Sequence, residues 1–376
     1  MLRLARIELS GFKSIEQMSL EMRPMNVLIG ANGAGKSNFV SFFRLLAALR
    51  EGRLGEYVRG ADGASRLLFY GPAETERVSA ELSLEEESEF VGKYCPSFMY
   101  AANDKLMIEV ERFDYVGPPQ FAGAVEVRPV TMSHFSRGCL ETAVPEAAAK
   151  LEGPARRIWD HLGSLQVFQF HDTSMQSAVR RPVMIHDNRS LRHNAGNLAA
   201  VLYKLRQKQP VAYRRIVETI RQIAPWFDHF AIEPLALSPE KVALEWRDKW
   251  SDEPFFAFQL PDGALRAMAL VTLLLQPEED LPTLLVIDEP ELGLHPYALA
   301  IVAGLAQAAA CHCQVILATQ SVAFLEHFDP EDIVVVDRQE RATTFRRLSS
   351  EGLDDWLEDY TLGELWEKNV LGGGPA

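Results

Sequence analysis

Long hydrophobic runs are missing from this sequence of 376 residues. Its longest nearly unbroken apolar stretches, residues 267–275 and 297–306, have about half of the ~20 residues that a membrane-spanning helix needs. No basic segment followed by an apolar run opens the chain, as it would in a secretory signal peptide. We therefore expect a cytoplasmic protein without a membrane partner.

Cysteine is also scarce, with only Cys95, Cys139, Cys311 and Cys313 in the chain. Four scattered cysteines are too few for a disulfide framework. The Cys311-His312-Cys313 triplet lacks a second pair of ligands at the spacing of a zinc site. We expect the cysteines to be structural.

Net positive charge is absent as well, because the formal net charge is −14. This value argues against a protein that coats nucleic acid indiscriminately. Residues 180–221 are the exception, since they hold ten basic side chains against Asp187 and Glu218. This basic region either forms a DNA-binding surface or simply provides the solvated faces of two amphipathic helices, and both interpretations stay open. Its basic residues are Arg180, Arg181, Arg189, Arg192, Lys204, Arg206, Lys208, Arg214, Arg215 and Arg221.

A glycine-rich loop with the phosphate-binding pattern is present at residues 30–37, between an apolar run at 26–29 and a helical pattern at 39–49. Glycines let the backbone curl so that its N–H groups face phosphate oxygens, and the next helix adds its positive dipole end. Lys36 would bridge the β- and γ-phosphates, and the Ser37 hydroxyl would hold Mg²⁺. The loop comprises Gly30, Ala31, Asn32, Gly33, Ala34, Gly35, Lys36 and Ser37.

An acidic pair follows a second buried strand, because four apolar residues at 284–287 precede Asp288 and Glu289. Adjacent carboxylates at the end of a buried strand are costly unless cations or catalysis involve them. Asp288 is suited to hold Mg²⁺ through water, and Glu289 to orient and deprotonate an attacking water. The alternative is that the pair only caps the strand.

Two further segments predict additional phosphate contacts. Asp262 and Gly263 open an apolar helix, whose N-terminus would be a second site for anions. Gln320 follows the buried strand 315–318, where a polar side chain can reach the γ-phosphate.

The order of these motifs, together with Leu292-Gly-Leu-His-Pro296, resembles the ATP-binding-cassette (ABC) class of ATPases. Within that class the chain is similar to the branch of the structural-maintenance-of-chromosomes (SMC) proteins, RecF and the OLD nucleases, and to small stand-alone bacterial ATPases of the AAA type. Residues 9–15 and 360–373 contribute to this resemblance, which covers roughly residues 1–75 and 240–345. It implies an α/β fold, a P-loop NTPase core with a mixed sheet and flanking helices, and ATP with Mg²⁺ as cofactors.

The resemblance also implies a homodimer that forms on ATP binding. Asp262 and Gly263 of one subunit would contact the γ-phosphate held by the other, and residues 293–295, including His295, would line the dimer seam. Asn32 and Asn38 occupy loop positions that often face the phosphates or the metal.

Two glutamines have less certain roles in this comparison. Gln169 is either the glutamine that senses Mg²⁺ or an ordinary residue at a strand edge. Gln320 replaces the switch histidine of the class, and because glutamine cannot take a proton it could only orient water or phosphate. We expect slow hydrolysis that depends on Glu289.

The resemblance implies a discontinuous ATPase core at residues 1–75 and 236–348. A compact insert, β strands followed by basic helices, would occupy residues 76–235, and an acidic tail residues 349–376. No long heptad section is present, and only 31 residues follow Phe345, which is too few for the nuclease domain of OLD proteins.

We therefore expect an ATP-hydrolysing protein with a task in DNA repair or in defence against foreign DNA. The alternative is a slow, ATP-gated regulatory module that holds a toxin or nuclease partner. A transporter cassette and a self-sufficient nuclease are less favoured. The loose nuclease candidates are His134, His161, His171 and Asp172.

Overall fold

The computed structural model describes residues 2–87, 89–116, 120–122, 125–127, 130–136, 138–142, 153–350, 353, 356 and 359–374. The sequence also predicts a helix at residues 145–162, and its part before residue 153 lies outside these ranges, as do Asp354, Asp355 and Glu358 of the acidic tail. The strands are β1 (Leu2–Phe12), β2 (Ile15–Glu21), β3 (Met25–Ile29), β4 (Arg77–Glu86), β5 (Glu89–Ala101), β6 (Lys105–Val116), β7 (Gln120–Ala122), β8 (Val125–Val127), β9 (Val130–Ser136), β10 (Gln166–Phe168), β11 (Val183–Met184), β12 (Phe227–Phe230), β13 (Pro234–Leu235), β14 (Ser238–Val242), β15 (Glu245–Asp248), β16 (Pro254–Phe256), β17 (Leu284–Asp288), β18 (Gln314–Thr319), β19 (Ile333–Gln339) and β20 (Ala342–Arg347). The helices are α1 (Lys36–Arg50), α2 (Leu54–Gly60), α3 (Gly153–Gly163), α4 (Leu198–Lys208), α5 (Pro210–Ile223), α6 (Asp262–Leu274), α7 (Pro296–Ala310), α8 (Val322–Leu325) and α9 (Leu362–Glu367).

Contacts divide the chain into two compact units. Unit 1 comprises residues 1–166 and 330–376, and unit 2 comprises residues 167–329. The boundaries of core, insert and tail that the sequence suggests stay a prediction.

The larger sheet of unit 1 is antiparallel, in the order β2-β1-β4-β5-β6-β9. Side chains of β4 alternate between buried and partly exposed positions, as expected for a strand with one face on the core. The sequence predicts antiparallel strands between residues 78 and 130, and the strands β4 to β6 are present there and extend the sheet that β1 begins. Inside it, the buried Glu111 accepts hydrogen bonds from Tyr94 (2.5 Å) and Thr142 (2.6 Å), which offset the cost of its burial.

A second group of strands in unit 1 carries the phosphate loop. Strand β19 pairs in parallel with β3 and antiparallel with β20, so parallel and antiparallel pairing occur together. All five residues of β3 are buried, and four of them are apolar; the exception, Asn26, donates to the carbonyl oxygen of Arg23 at 2.6 Å. Helix α1 begins at Lys36, within the last residues of the loop, and its Phe39 packs edge-on against its Phe43, with 5.1 Å between ring centroids.

Unit 2 places the acidic pair at the end of a parallel strand pair, β17 with β18. Helices α4 and α5 bury the apolar stripes that their sequences predicted, including Leu202 and Ile216, each fully buried. Helix α6 buries nine of its thirteen residues, which accounts for its almost entirely apolar sequence.

Two expectations about composition can be compared with the structure. None of the four cysteines forms a disulfide, and Cys95 and Cys313 are buried. No helix among the described residues is long and apolar enough to cross a bilayer.

The histidine of α3, His161, makes the stability of unit 1 depend on pH. Burial lowers the pKa of this side chain from 6.5 to about 4. Between these values the unfolded chain binds a proton that the folded chain does not, so stability falls as the pH falls. We expect the unfolding free energy in urea to drop by about 2 kcal/mol between pH 6.5 and pH 5, and this component to disappear in His161→Gln. If the unfolding free energies of the unmodified protein and of His161→Gln changed equally with pH, His161 would not be the source of this pH dependence.

Candidate active site

The phosphate loop of unit 1 has the shape that its glycines predict. Gly33 and Gly35 have φ values of 82° and 120°, a region that favours glycine. A Cβ on Gly35 would lie only 2.2 Å from the Oγ1 atom of Thr343, and one on Gly30 only 2.2 Å from the carbonyl oxygen of Val336. Glycine is required at position 33 because of the backbone conformation and at position 30 because a side chain has no space. Both reasons apply at position 35.

Lys36 lies folded into this loop and is only 7% exposed. Its Nζ donates to the carbonyl oxygens of Gly30 (2.5 Å) and Ala31 (3.1 Å). A charge in such buried surroundings is screened only weakly, so the Lys36 ammonium would attract a phosphate group strongly.

The remaining loop side chains are arranged around this charge. Asn32 and Ser37 are exposed, so their polar groups are accessible to a ligand or a metal ion, and the small Ala34 is buried. Asn38 donates to Ser14 at 2.7 Å instead of pointing freely into solvent. Its side chain therefore takes part in supporting the loop.

Two hydroxyl groups that the sequence did not single out complete this support. Ser14 hydrogen-bonds to Thr343 at 2.7 Å, and Thr343 donates to the carbonyl oxygen of Ala34 at 2.8 Å. Ser14 lies in the segment 9–15 that contributed to the resemblance, but Thr343 belongs to no motif. Nothing local in the sequence could have indicated its role.

The acidic pair of unit 2 combines burial with an unusual backbone. Asp288 is 3% exposed, whereas Glu289 is accessible and has a φ of 50°. Non-glycine residues rarely adopt this left-handed conformation, which concentrates at functional sites. The Glu289 N–H donates to the carbonyl oxygen of Ala318 at 2.8 Å, which fixes the turn after β17.

This pair belongs to a polar chain of four side chains. The Nε2 atom of Gln169 lies 3.4 Å from the Oδ2 atom of Asp288 and 2.9 Å from the Nδ1 atom of His171. The Nε2 atom of His171 lies 3.2 Å from the Oε2 atom of Glu289. Gln169 thus contacts both Asp288 and His171, and His171 in turn lies beside Glu289.

The structure thus places Gln169 beside Asp288, and its role as the glutamine that senses Mg²⁺ stays a prediction. It also places His171 beside Glu289, a contact that sequence reasoning missed because His171 was considered only as a loose nuclease candidate. The spacing of two residues between Gln169 and His171 on an extended segment was the available signal, since such side chains lie on the same side.

Gln320 lies where β18 ends, with its backbone N–H bound to the Oε1 atom of Glu291 at 3.0 Å. Burial raises the pKa of the Glu291 carboxyl. Ser321 caps the next helix by accepting from the N–H of Phe324 at 3.2 Å. The backbone on both sides of Gln320 is therefore fixed.

Asp262 and Gly263 begin helix α6, as the sequence predicted. Asp262 forms an ion pair with Arg180 at 2.7 Å, so its carboxylate already has a cationic partner. A Cβ on Gly263 would lie 2.3 Å from the carbonyl oxygen of Gly293, and one on Gly293 would lie 2.7 Å from Arg266. The two glycines let the loop before α6 and the loop after the acidic pair approach closely.

Arg266 connects the same region to the segment that holds His171. It donates to the backbone carbonyls of Phe170 (3.1 Å) and His171 (2.9 Å) and to Thr173 (3.0 Å). His295 is exposed and accepts from the N–H of Tyr297 at 3.3 Å, at the start of α7. Its structural role is therefore that of a helix cap.

The groups expected to hold Mg²⁺ have suitable chemistry. Ser37 offers an accessible hydroxyl, and the buried Asp288 carries a carboxylate that favours a nearby cation. Gln169 approaches Asp288 through its amide nitrogen, and its amide oxygen is a type of ligand that Mg²⁺ binds. Within the described ranges no three His, Cys, Asp or Glu residues form a cluster that could hold a metal ion.

Comparison with known proteins places these features in a family. Residues 25–93 and 172–326 match the family described as "AAA domain, putative AbiEii toxin, Type IV TA system". These ranges include more than half of the chain and contain both the phosphate loop and the acidic pair. The chain belongs to this family.

Other relatives of this AAA family member agree with the assignment. A segment of 86 residues, 22% of the chain, is 36% identical to the DNA replication and repair protein RecF of Acidothermus cellulolyticus and spans 23% of that protein's length. An Smc head bound to the C-winged helix domain of ScpA has a TM-score of 0.61 at 14% identity, with 93% of this chain and 99% of that chain covered.

The Smc head domain from Pyrococcus furiosus, bound to the C-terminal domain of ScpA, gives a TM-score of 0.59, also at 14% identity, with coverage of 96% and 99%. At this identity the likeness shows the fold. The predicted α/β fold of the SMC and RecF type, and the predicted resemblance to ABC-class ATPases, are both confirmed.

Removing the Lys36 ammonium should remove nucleotide binding from this AAA family member. For Lys36→Ala we expect ATP affinity to fall at least about 100-fold, because a charge-assisted contact inside a buried loop is lost. Isothermal titration of ATP with Mg²⁺ measures the effect, and Lys208→Ala on the exposed end of α4 is the control. Unchanged affinity in a folded Lys36→Ala protein would show that the loop is not the phosphate site.

Proposed function

We propose that this protein binds ATP with Mg²⁺ at residues 30–37 and hydrolyses it. The observation that carries the proposal is the glycine loop closed around a buried Lys36, in a chain of an AAA family. Lys36 would bind the β- and γ-phosphates, and Ser37 and Asp288 would hold the metal. Mg²⁺, when bound, neutralises charge on the phosphates.

Glu289 would take the proton of the attacking water. It is the accessible carboxylate of the acidic pair, whereas Asp288 is buried and contacted by Gln169. The left-handed turn at Glu289 and the neighbouring His171 ring limit the positions that its carboxylate can adopt. Such preorganisation is a large contribution to catalysis, because the group need not reorient during the reaction.

We further propose that ATP binding drives formation of a homodimer. This proposal rests on the motif order and on the family, with Asp262, Gly263 and the exposed His295 as candidate contacts to the partner's nucleotide. The two Smc heads that share this fold were each seen with a domain of ScpA. A separate protein partner is therefore a reasonable expectation for this chain as well.

The task coupled to ATP is proposed to involve DNA, in repair or in defence against foreign DNA. One relative is a DNA replication and repair protein. In the basic region, Arg181, Arg189, Lys208, Arg214 and Arg215 form no ion pair with another described residue. These five exposed side chains could bind phosphates of a nucleic acid backbone.

The second candidate is the slow regulatory module that holds a toxin or nuclease partner. It is favoured by the fact that the other five basic residues of this region already form ion pairs within unit 2, so their charges are not available for a nucleic acid. The family description also includes a toxin of a type IV toxin–antitoxin system. The paired residues are Arg180 with Asp262, Arg192 with Asp187, Lys204 with Asp280, Arg206 with Glu233 and Arg221 with Asp228.

Glu289→Gln tests the sandwich of two subunits around ATP. The amide keeps the size of the carboxylate but cannot accept a proton, so ATP should bind and persist. We expect a stable dimer with ATP in size-exclusion chromatography with light scattering, and a monomer without it. A Glu289→Gln protein that binds ATP but stays monomeric would refute the sandwich.

ATP turnover with and without duplex DNA separates the two candidate functions. If the basic region binds DNA, stimulation should weaken with salt and disappear in the double variant Arg214→Glu with Arg215→Glu. A double variant with the same change in net charge elsewhere, Arg59→Glu with Lys249→Glu, should keep the stimulation. Slow turnover that ignores DNA in every protein would instead support the regulatory module.

A further inference from the structure

A segment distant in sequence from the phosphate loop lies directly against it within unit 1. This segment, residues 361–374, begins with helix α9, whose first turn is capped reciprocally. The Thr361 hydroxyl accepts from the N–H of Glu364 at 3.2 Å, and the Glu364 carboxylate accepts from the N–H of Thr361 at 2.9 Å.

Apolar side chains anchor the segment in the core. Leu365 is fully buried, Leu371 is 2% exposed, and Trp366 is 7% exposed. Arg346 of strand β20 donates to the carbonyl oxygen of Leu371. The segment is therefore a fixed part of unit 1 up to the glycines that follow Leu371.

The last of these contacts reaches the phosphate loop itself. The carbonyl oxygen of Gly373 accepts from the N–H of Ala31 at 2.8 Å. Ala31 is the second residue of the loop, and its own carbonyl oxygen accepts from Lys36 at 3.1 Å. Ala31 is thus held at its N–H by Gly373 and at its carbonyl oxygen by Lys36.

Close packing of three backbones makes this contact specific for glycine. A Cβ on Gly373 would lie 2.8 Å from Val335 Cγ1, 3.1 Å from the carbonyl oxygen of Val336 and 3.8 Å from Gly30 Cα. Gly372 has nearly the same φ, 74° against 73°, yet a Cβ there would meet only a terminal atom of Arg346, at 3.6 Å. The two neighbouring glycines therefore share a conformation but differ in their surroundings.

We propose that Gly373 is a positioning residue for nucleotide binding, and that docking of residues 361–374 sets the affinity of the phosphate loop. This inference rests on the proposed function at residues 30–37. By thermodynamic reciprocity, a nucleotide that binds the positioned loop must also stabilise the docked segment. A partner that binds or displaces the segment would then change nucleotide affinity.

The two glycines provide a matched experiment. Both Gly373→Ala and Gly372→Ala place a methyl group on a left-handed residue, so both carry the same conformational strain. Only Gly373→Ala pushes the segment away from Val335 and Val336, against which it packs beside Gly30. We expect Gly373→Ala to weaken ATP binding about 10-fold or more, a typical coupling between two sites, and Gly372→Ala to change it less than about twofold.

Hydrogen exchange supplies a measurement that does not depend on nucleotide. In nucleotide-free protein, the amides of residues 30–37 should exchange faster in Gly373→Ala than in Gly372→Ala. In the unmodified protein, saturating ATP should slow exchange of residues 369–374. If Gly373→Ala does not fold, Asn369→Gly replaces it, because that change removes the acceptor of the Gly374 N–H (3.1 Å) and keeps the positive φ accessible.

The outcomes separate this inference from the proposed function. If the unmodified protein binds no ATP, the proposed function fails, and the exchange comparison still tests whether Gly373 supports the loop. If ATP binds but the two alanine variants have equal affinities and equal exchange in residues 30–37, Gly373 is not a positioning residue.

Discussion

Backbone crowding around a buried lysine is the constraint on which unit 1 depends. The phosphate loop can enclose Lys36 only because Gly30 and Gly35 leave room for Val336 and Thr343 of the neighbouring strands. These contacts exclude side chains and leave backbone groups and hydroxyls to line the loop. The loop is therefore shaped by strands β19 and β20 as much as by its own sequence.

In unit 2 the buried charged groups have the opposite sign, because carboxylates are buried at and after the end of strand β17. Asp288 and Glu291 are both removed from water in part, and each has a polar neighbour, Gln169 for the first and the Gln320 N–H for the second. Glu289 remains accessible between them. A buried carboxylate favours a nearby cation, whereas an accessible carboxylate can accept a proton.

Local features of the site could be predicted from the sequence, and features that depend on distant contacts could not. The loop around Lys36 and the strand before Asp288 are continuous motifs, so residue type and spacing were sufficient. The roles of His171, Thr343 and Gly373 arise from contacts with residues more than 100 positions away. The basic region shows the same limit, because a count of charges does not tell which of them are already paired.

The contact between Ala31 and Gly373 also affects how the protein folds during its synthesis. A chain is synthesised from its N-terminus, and contacts between distant residues form late. The phosphate loop emerges from the ribosome early, but the strand that carries Thr343 and the segment that carries Gly373 emerge more than 300 residues later. A nascent chain that has exposed only the phosphate loop therefore lacks the contacts that support this loop, and they form only after residues 343 and 373 have been made.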